Sequence, residues 1–283
     1  MNVLPMLIRR EFWEHRVLVI APLVLCVVYL MLCALAGANF NVGWLYVGNA
    51  EPMSAAFLFV MHGVFAGLLY GLMSIVAFFY LCDCLYAERK DRSILFWKSL
   101  PVSDAMTVLS KLVVALIALP LVVYVLAFAT NLLTLIVFKI AFQFQPPRNS
   151  APHWTLLSWL RLNGYLLADV FVLALWFAPI AAYQLLVSVV ASRAVMVWTL
   201  LPPVALVLGQ KLLFDSWSIG QFVLYRLGTG LISGGRGGGL EGVIDGVNLL
   251  PVLTQPELWI GVAVAALLVF ATIRIRRHRD DNT

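Results

Sequence analysis

Six long apolar runs punctuate the chain, at residues 17–36, 55–82, 112–138, 165–190, 194–210 and 258–273. A helix rising about 1.5 Å per residue needs about 20 apolar residues to cross some 30 Å of hydrocarbon, and each run is near that length. The pattern predicts an all-α integral membrane protein with six transmembrane helices. Runs four and five are separated only by Ala191, Ser192 and Arg193, which predicts a tight helical hairpin. The first run exceeds the roughly 7 to 15 apolar residues of a secretory leader, so it is expected to be a retained span.

Composition agrees with the pattern. Hydrophobic residues make up 63% of the chain and charged residues 12%, against about 25% charged in a soluble domain. Basic residues favour the cytoplasmic side. With both termini cytoplasmic, Arg9, Arg10, Arg16, Arg89, Lys90, Arg92, Lys98, Lys111, Arg193, Arg274, Arg276, Arg277 and Arg279 all lie inside, the majority of the 19 Lys and Arg. Topology therefore accounts for the net charge of +5, and nucleic-acid binding is not needed to explain it.

Residues 1–16 place Leu4, Leu7, Ile8 and Phe12 on one side of a helix, as an interfacial N-terminal helix requires. Glu11 and His15 intrude on that side, which fits partial cover by another protein surface. In the second run Gly63, Gly67 and Gly71 recur every fourth residue, a spacing that lets a neighbouring helix pack closely. Pro22, Pro120, Pro179 and Pro202–Pro203 predict kinks within spans. Residues 211–255 are too broken for a span and too apolar for a solvated loop, which predicts a half-inserted helical hairpin hinged at Gly234–Gly239. No Gly-Lys-Ser/Thr follows these glycines, so they do not read as a phosphate cradle.

Little in the sequence suggests catalysis or metal binding. Cys82 and Cys84 form a C-x-C pair without a second pair or a histidine cluster nearby, and Cys26 and Cys33 fall within the first run. His15, His62, His153 and His278 are scattered, and His62 reads as a packed polar residue. Asp169 is the one carboxylate inside a run, within reach of Arg161 or of outer water.

The densest chemistry is the connection between runs two and three, residues 83–111, reading DCLYAERKDRSILFWKSLPVSDAMTVLSK. Arg89, Lys90, Arg92, Lys98 and Lys111 stand against Asp83, Glu88, Asp91 and Asp104. Glu88 precedes Arg92 by four residues, the favourable order for a helical ion pair. Ile94, Leu95, Phe96 and Trp97 follow directly, then Leu100, Pro101 and Val102. Pro101 ends one short helix, and Ser103 with Asp104 suits the start of the next. Aromatic anchors inside a charged rim have the composition of a protein docking site. Trp97 between Arg92 and Lys98 also suits a segment lying on the inner leaflet.

From Glu88-Arg89 through Ser93-Ile94-Leu95 and Ser99-Leu100-Pro101-Val102-Ser103 to Lys111, this connection resembles the second-to-third-span loop of type-2 ABC exporter permeases. The six spans, the N-terminal segment and the outer hairpin resemble the same family. The resemblance implies a short cytoplasmic coupling helix in which Glu88, Arg92, Leu95, Phe96, Trp97 and Lys98 meet a separate ATP-binding subunit. It further implies a second copy of the permease, membrane lipids as surroundings, and the bacterial cytoplasmic (inner) membrane as location. This chain has no GxxxxGK[ST] loop, so no cofactor is expected on it; ATP and Mg belong to the partner ATPase. Spans poor in charge favour a hydrophobic or amphipathic cargo. The alternatives are an ion-coupled secondary transporter, which needs ionisable groups near the bilayer centre, and a membrane assembly subunit without energy coupling.

Overall fold

In the computed structural model the described residues are 3–38, 55–91, 102–143, 156–218 and 253–278, with 220, 221, 223 and 226 between the last two stretches. They are helical almost throughout, and no strand occurs among them. Helix α1 covers Val3–Glu14 and α2 Val17–Ala38. The long α3 runs Ala55–Lys90. Helix α4, Asp104–Val113, passes through a π turn at Val114–Ala118 into α5, Leu119–Gln143. Helices α6 (Leu156–Val190), α7 (Val195–Phe214) and α8 (Pro256–His278) complete the chain.

Six of these helical units are long and apolar enough to cross a bilayer: α2, α3, the α4–α5 rod, α6, α7 and α8. The protein is therefore a multi-pass membrane protein. Its outer surface agrees, because Leu23, Val27, Leu201, Leu206, Leu267 and Phe270 are all exposed. Side chains of this kind on a continuous belt suit lipid as solvent and are costly in water.

A core of Phe65, Leu69, Leu85, Val108, Leu119 and Leu185 holds the bundle together. Helix α6 lies most closely along α8 and also packs on α3, while α5 lies closely along α2. By contrast α7 is almost wholly exposed, and among the described helices it packs chiefly on α6 and α3. The predicted hairpin between α6 and α7 is present: Ala191–Ala194 turn the chain, with Ala194 in the left-handed region at φ 50°.

The prolines behave in two ways. Helices α2, α6 and α7 continue through Pro22, Pro179 and Pro202–Pro203. At Pro120 the break is resolved by widening: Leu119 N–H donates to Val114 O, a π-type bond one residue longer than the helical one. This lets the α4–α5 rod accommodate a residue without an N–H and continue.

Two expectations about the N-terminal half are revised. The second helix does not end at Cys82; it continues two turns to Lys90, so the connection to α4 is residues 91–103. Ser103 caps α4 as expected, its Oγ accepting from Met106 N–H at 3.2 Å with Asp104 in the first turn. Helix α1 is covered by its own chain. Leu7 is buried and Ile8 and Phe12 pack on the core, whereas Met6 and Trp13 face outward. Most of the predicted outer hairpin lies outside the described residues.

Candidate functional site

The buried chemistry of the bundle gathers where α1, the end of α3, the start of α4 and the end of α8 meet. Glu88, near the end of α3, is the hub. Its Oε1 lies 3.0 Å from Lys111 Nζ of α4 and 3.2 Å from Arg10 Nη2 of α1. Its Oε2 lies 2.9 Å from Arg276 Nη1 of α8. One carboxylate thus joins four helices. Arg276 reaches on through Nε to Asp104 Oδ1 at 3.1 Å.

Lys111 is the second hub. Its ammonium is 2.9 and 3.1 Å from the two Glu11 oxygens in addition to Glu88, which uses the three donors of a Lys side chain. Glu11 also accepts from the Tyr80 hydroxyl at 2.9 Å and pairs with Arg10 at 2.7 Å. Glu11 and Lys111 are completely buried, and Glu88 and Arg276 nearly so. Glu11, Glu88 and Asp104 face Arg10, Lys111 and Arg276, and the more exposed Glu14 adds a fourth carboxylate at the edge, 3.3 Å from Arg10 Nε. Opposite charges in close contact are what such a cluster needs, because an isolated buried ion is far too costly.

Burial alone would raise the Glu11 carboxyl, but Lys111, Arg10 and the Tyr80 hydroxyl hold it below its ordinary value. Burial likewise pulls Arg10 down, yet Glu11, Glu14 and Glu88 leave it raised. Both groups stay ionised across the physiological range. Such a cluster fixes helices against one another and offers no poised acid or base. Glu14 and His15 stand close to Glu11, but both Glu11 oxygens are committed to Lys111 and one also to Tyr80.

A neutral set of bonds fastens the neighbouring face of α3 to the end of α6. Ser188 Oγ accepts from Leu85 N–H at 3.3 Å and Tyr86 N–H at 3.0 Å and donates to Cys82 O at 2.8 Å. Arg89 Nη2 donates to Ser188 O at 2.6 Å and Ala191 O at 2.7 Å, taking up carbonyls at the α6 terminus. The connection 91–103 is therefore held at its α3 end by α1, α6 and α8, and at its α4 end by α1 and α8.

Of the residues expected to contact a partner, only Glu88 is described here. It is buried and paired with Arg10, Lys111 and Arg276, which assigns it to holding the connection in place. Arg92, Leu95, Phe96, Trp97 and Lys98 lie outside the described residues. At Gly63, Gly67 and Gly71 an added Cβ meets no atom of the described residues within 4 Å. All four cysteines are free and buried, and His62 is buried, as a packed polar residue should be.

Sequence reasoning missed the cluster as a unit, although each member left a trace. Glu11 was the charge that spoiled the apolar side of α1, and Lys111 and Arg276 were read as anchors of orientation. The usable signal was a carboxylate on a face that should have been greasy, in a protein with basic residues at two other span ends.

Further in from the cluster, Met73, Phe78, Leu81, Leu116, Leu173 and Phe177 line much of an apolar cavity of about 130 Å³ beside the π turn and Pro120. No protein-family model matches the chain, and no curated protein matches it.

Proposed function

We propose that this chain is the membrane-spanning subunit of an ATP-driven exporter, similar to type-2 ABC permeases, with the ATPase on a separate polypeptide. The observation that carries this reading is the Glu88 hub. A docking segment can drive a membrane domain only if force on it reaches the spans, and one carboxylate here ties the end of α3 to α1, α4 and α8. Residues 91–103 leave and re-enter the bundle at this joint, so displacement of Phe96 and Trp97 by a partner would pass directly to three spans. In this reading ATP and Mg bind the partner, the Glu88 end faces the cytoplasm of a bacterial cell, and a second copy of the chain completes the unit. The empty face of Gly63, Gly67 and Gly71 and the bare α7 leave surface for that copy.

An ion-coupled carrier fits less well. It needs an exchangeable proton or cation site near the bilayer centre, whereas these charges sit at one end of the bundle and are matched by their partners. The apolar cavity beside the π turn suits a hydrophobic or amphipathic cargo.

Purification in mild detergent from the native host tests the proposal: an ATP-binding protein should co-purify. Replacing Phe96 and Trp97 together by Ala should release it, or leave ATP hydrolysis unresponsive to the permease. Absence of any ATPase, or unchanged association and coupling in the double variant, would overturn it.

A further inference from the structure

At the other end of the bundle, apart from Arg226, which is buried and bonded to Trp176 O and Glu257 O, a group of neutral polar side chains is buried and partly without partners. Asn131 of α5 is fully buried, and neither its amide nitrogen nor its amide oxygen has a hydrogen-bond partner among the described residues. The same holds for Trp159 Nε1 and Asn163 Oδ1 of α6, both nearly buried. Three contacts place them along one seam. Tyr124 OH donates to Asn163 O at 3.2 Å, the Phe128 and Trp159 rings lie 4.9 Å apart, and His62 Nε2 of α3 stands 3.4 Å from Asn131 O. Tyr124, Phe128 and Asn131 follow at spacings of four and three, so α5 presents them on one side.

These groups have essentially no accessible surface, so no water reaches them in this conformation. Buried polar atoms in native proteins are otherwise almost always satisfied. A second conformation in which they gain partners would remove the exception. Helix α5 lies much less closely along α6 than along α2, so the α6 side is the looser of its two contacts. Asn131 is 20 residues beyond Lys111 on the same rod, about 30 Å at 1.5 Å per residue, which sets the seam at the opposite membrane face from the charged joint.

We propose that the seam between α3, α5 and α6 opens to the aqueous phase on that face and takes the uncharged polar group of an amphipathic molecule, with Asn131, Asn163 and Trp159 as its hydrogen-bonding residues. Amide and indole groups recognise a hydroxyl, amide or ester and offer nothing to balance an ion. The assignment of that molecule as exported cargo rests on the function proposed above; the opening itself does not.

The test therefore uses the chain alone in liposomes, without ATP or partner. With Cys26, Cys33, Cys82 and Cys84 replaced by Ala, Asn163→Cys should react with the water-soluble thiol reagent trimethylammonium-ethyl methanethiosulfonate about tenfold or more faster than Ala127→Cys, which lies in the tight core. Monolauroylglycerol should slow that reaction several-fold, and dodecane should not. Adding Asn131→Leu should slow it too, because an apolar side chain favours the closed form. In the otherwise unaltered protein the same Asn131→Leu should raise the thermal midpoint, since it removes an amide that pairs with nothing. Labelling of Asn163→Cys no faster than Ala127→Cys, or a lowered midpoint in Asn131→Leu, would overturn the opening. Labelling indifferent to monolauroylglycerol would overturn the ligand class. If the cysteine-free protein does not fold, the midpoint of Asn131→Leu alone decides. Failure to find an ATPase leaves every arm of this test standing.

Discussion

The two ends of this bundle handle buried polarity in opposite ways. Around Glu88, strongly polar groups are taken out of water and the buried ions Glu11, Glu88, Lys111 and Arg276 each meet an opposite charge, with Lys111 and Glu11 both fully buried. Around Asn131, weakly polar groups are taken out of water and several amide and indole atoms meet nothing. The first arrangement has one deep minimum, because any displacement separates ions in a low dielectric. The second is a state that gains hydrogen bonds by opening. On the function proposed above, force would be transmitted at the first face and access changed at the second.

The strongest way to break the comparison is Lys111→Met. The variant leaves Glu11 with Arg10 and Tyr80 alone and Glu88 short of one cation, in a site without water. Removing one partner of a buried ion pair typically costs about 3 to 5 kcal/mol. The expected result is a thermal midpoint in detergent far below that of the parent, or failure to accumulate in the membrane. Adding Glu11→Leu should recover much of the loss, since a charge-balanced apolar replacement is often neutral or stabilising. A Lys111→Met protein as stable as its parent would mean that the Glu88 end is no stiffer than the Asn131 end.

A smaller effect follows from acid. Glu11 has its native pKa below the ordinary value of 4.5, so it contributes stability that is complete above that value and is lost as pH falls through the depressed one. Arg10 is raised, so its contribution is present throughout the acid and neutral range and is lost only in strong alkali. Helix α1 should therefore stay docked from neutral pH down to about 4.5 and detach below it. Hydrogen exchange of the α1 amides measures this directly, against the α5 amides around Asn131. If α1 loosens instead between pH 8 and 6, the cluster is not held by Glu11 in its ionised form.

How far the two ends could be read from sequence differs for a physical reason. Span number and the α6–α7 turn followed from run length, because a bilayer imposes one on any helix that crosses it. The Ser103 cap followed from local chemistry. The Glu88 joint did not, because residues 10, 88, 111 and 276 are brought together only by packing, and each has a bland local role as an anchor. The seam was hidden more deeply: an Asn or a Trp in an apolar run is ordinary, and its lack of a partner is a property of three helices together. The glycine triplet permits close packing, and among the described residues no atom lies within 4 Å of a Cβ added there. Leu95, Phe96 and Trp97 remain as legible as the sequence makes them.

The finest test separates charge from mere location. Ser188 sits at the Glu88 end, well packed and fully buried, but its bonds are neutral. Its hydroxyl accepts from Leu85 and Tyr86 N–H and donates to Cys82 O, alongside a helix that supplies those groups with its own ladder. Arg89 holds the α6 carbonyls whether or not the hydroxyl is there. Ser188→Ala should thus cost only about 1 kcal/mol, the usual net worth of a hydrogen bond, measured as a small drop in thermal midpoint. If it costs as much as Lys111→Met, the firmness of that end comes from tight packing of α3 on α6 and not from its ions. A small loss, set beside a large one at Lys111 and a gain at Asn131→Leu, would rank three equally buried polar sites by how completely each is paired. Pairing would then be the property that makes one face of this protein a joint and the other a seam.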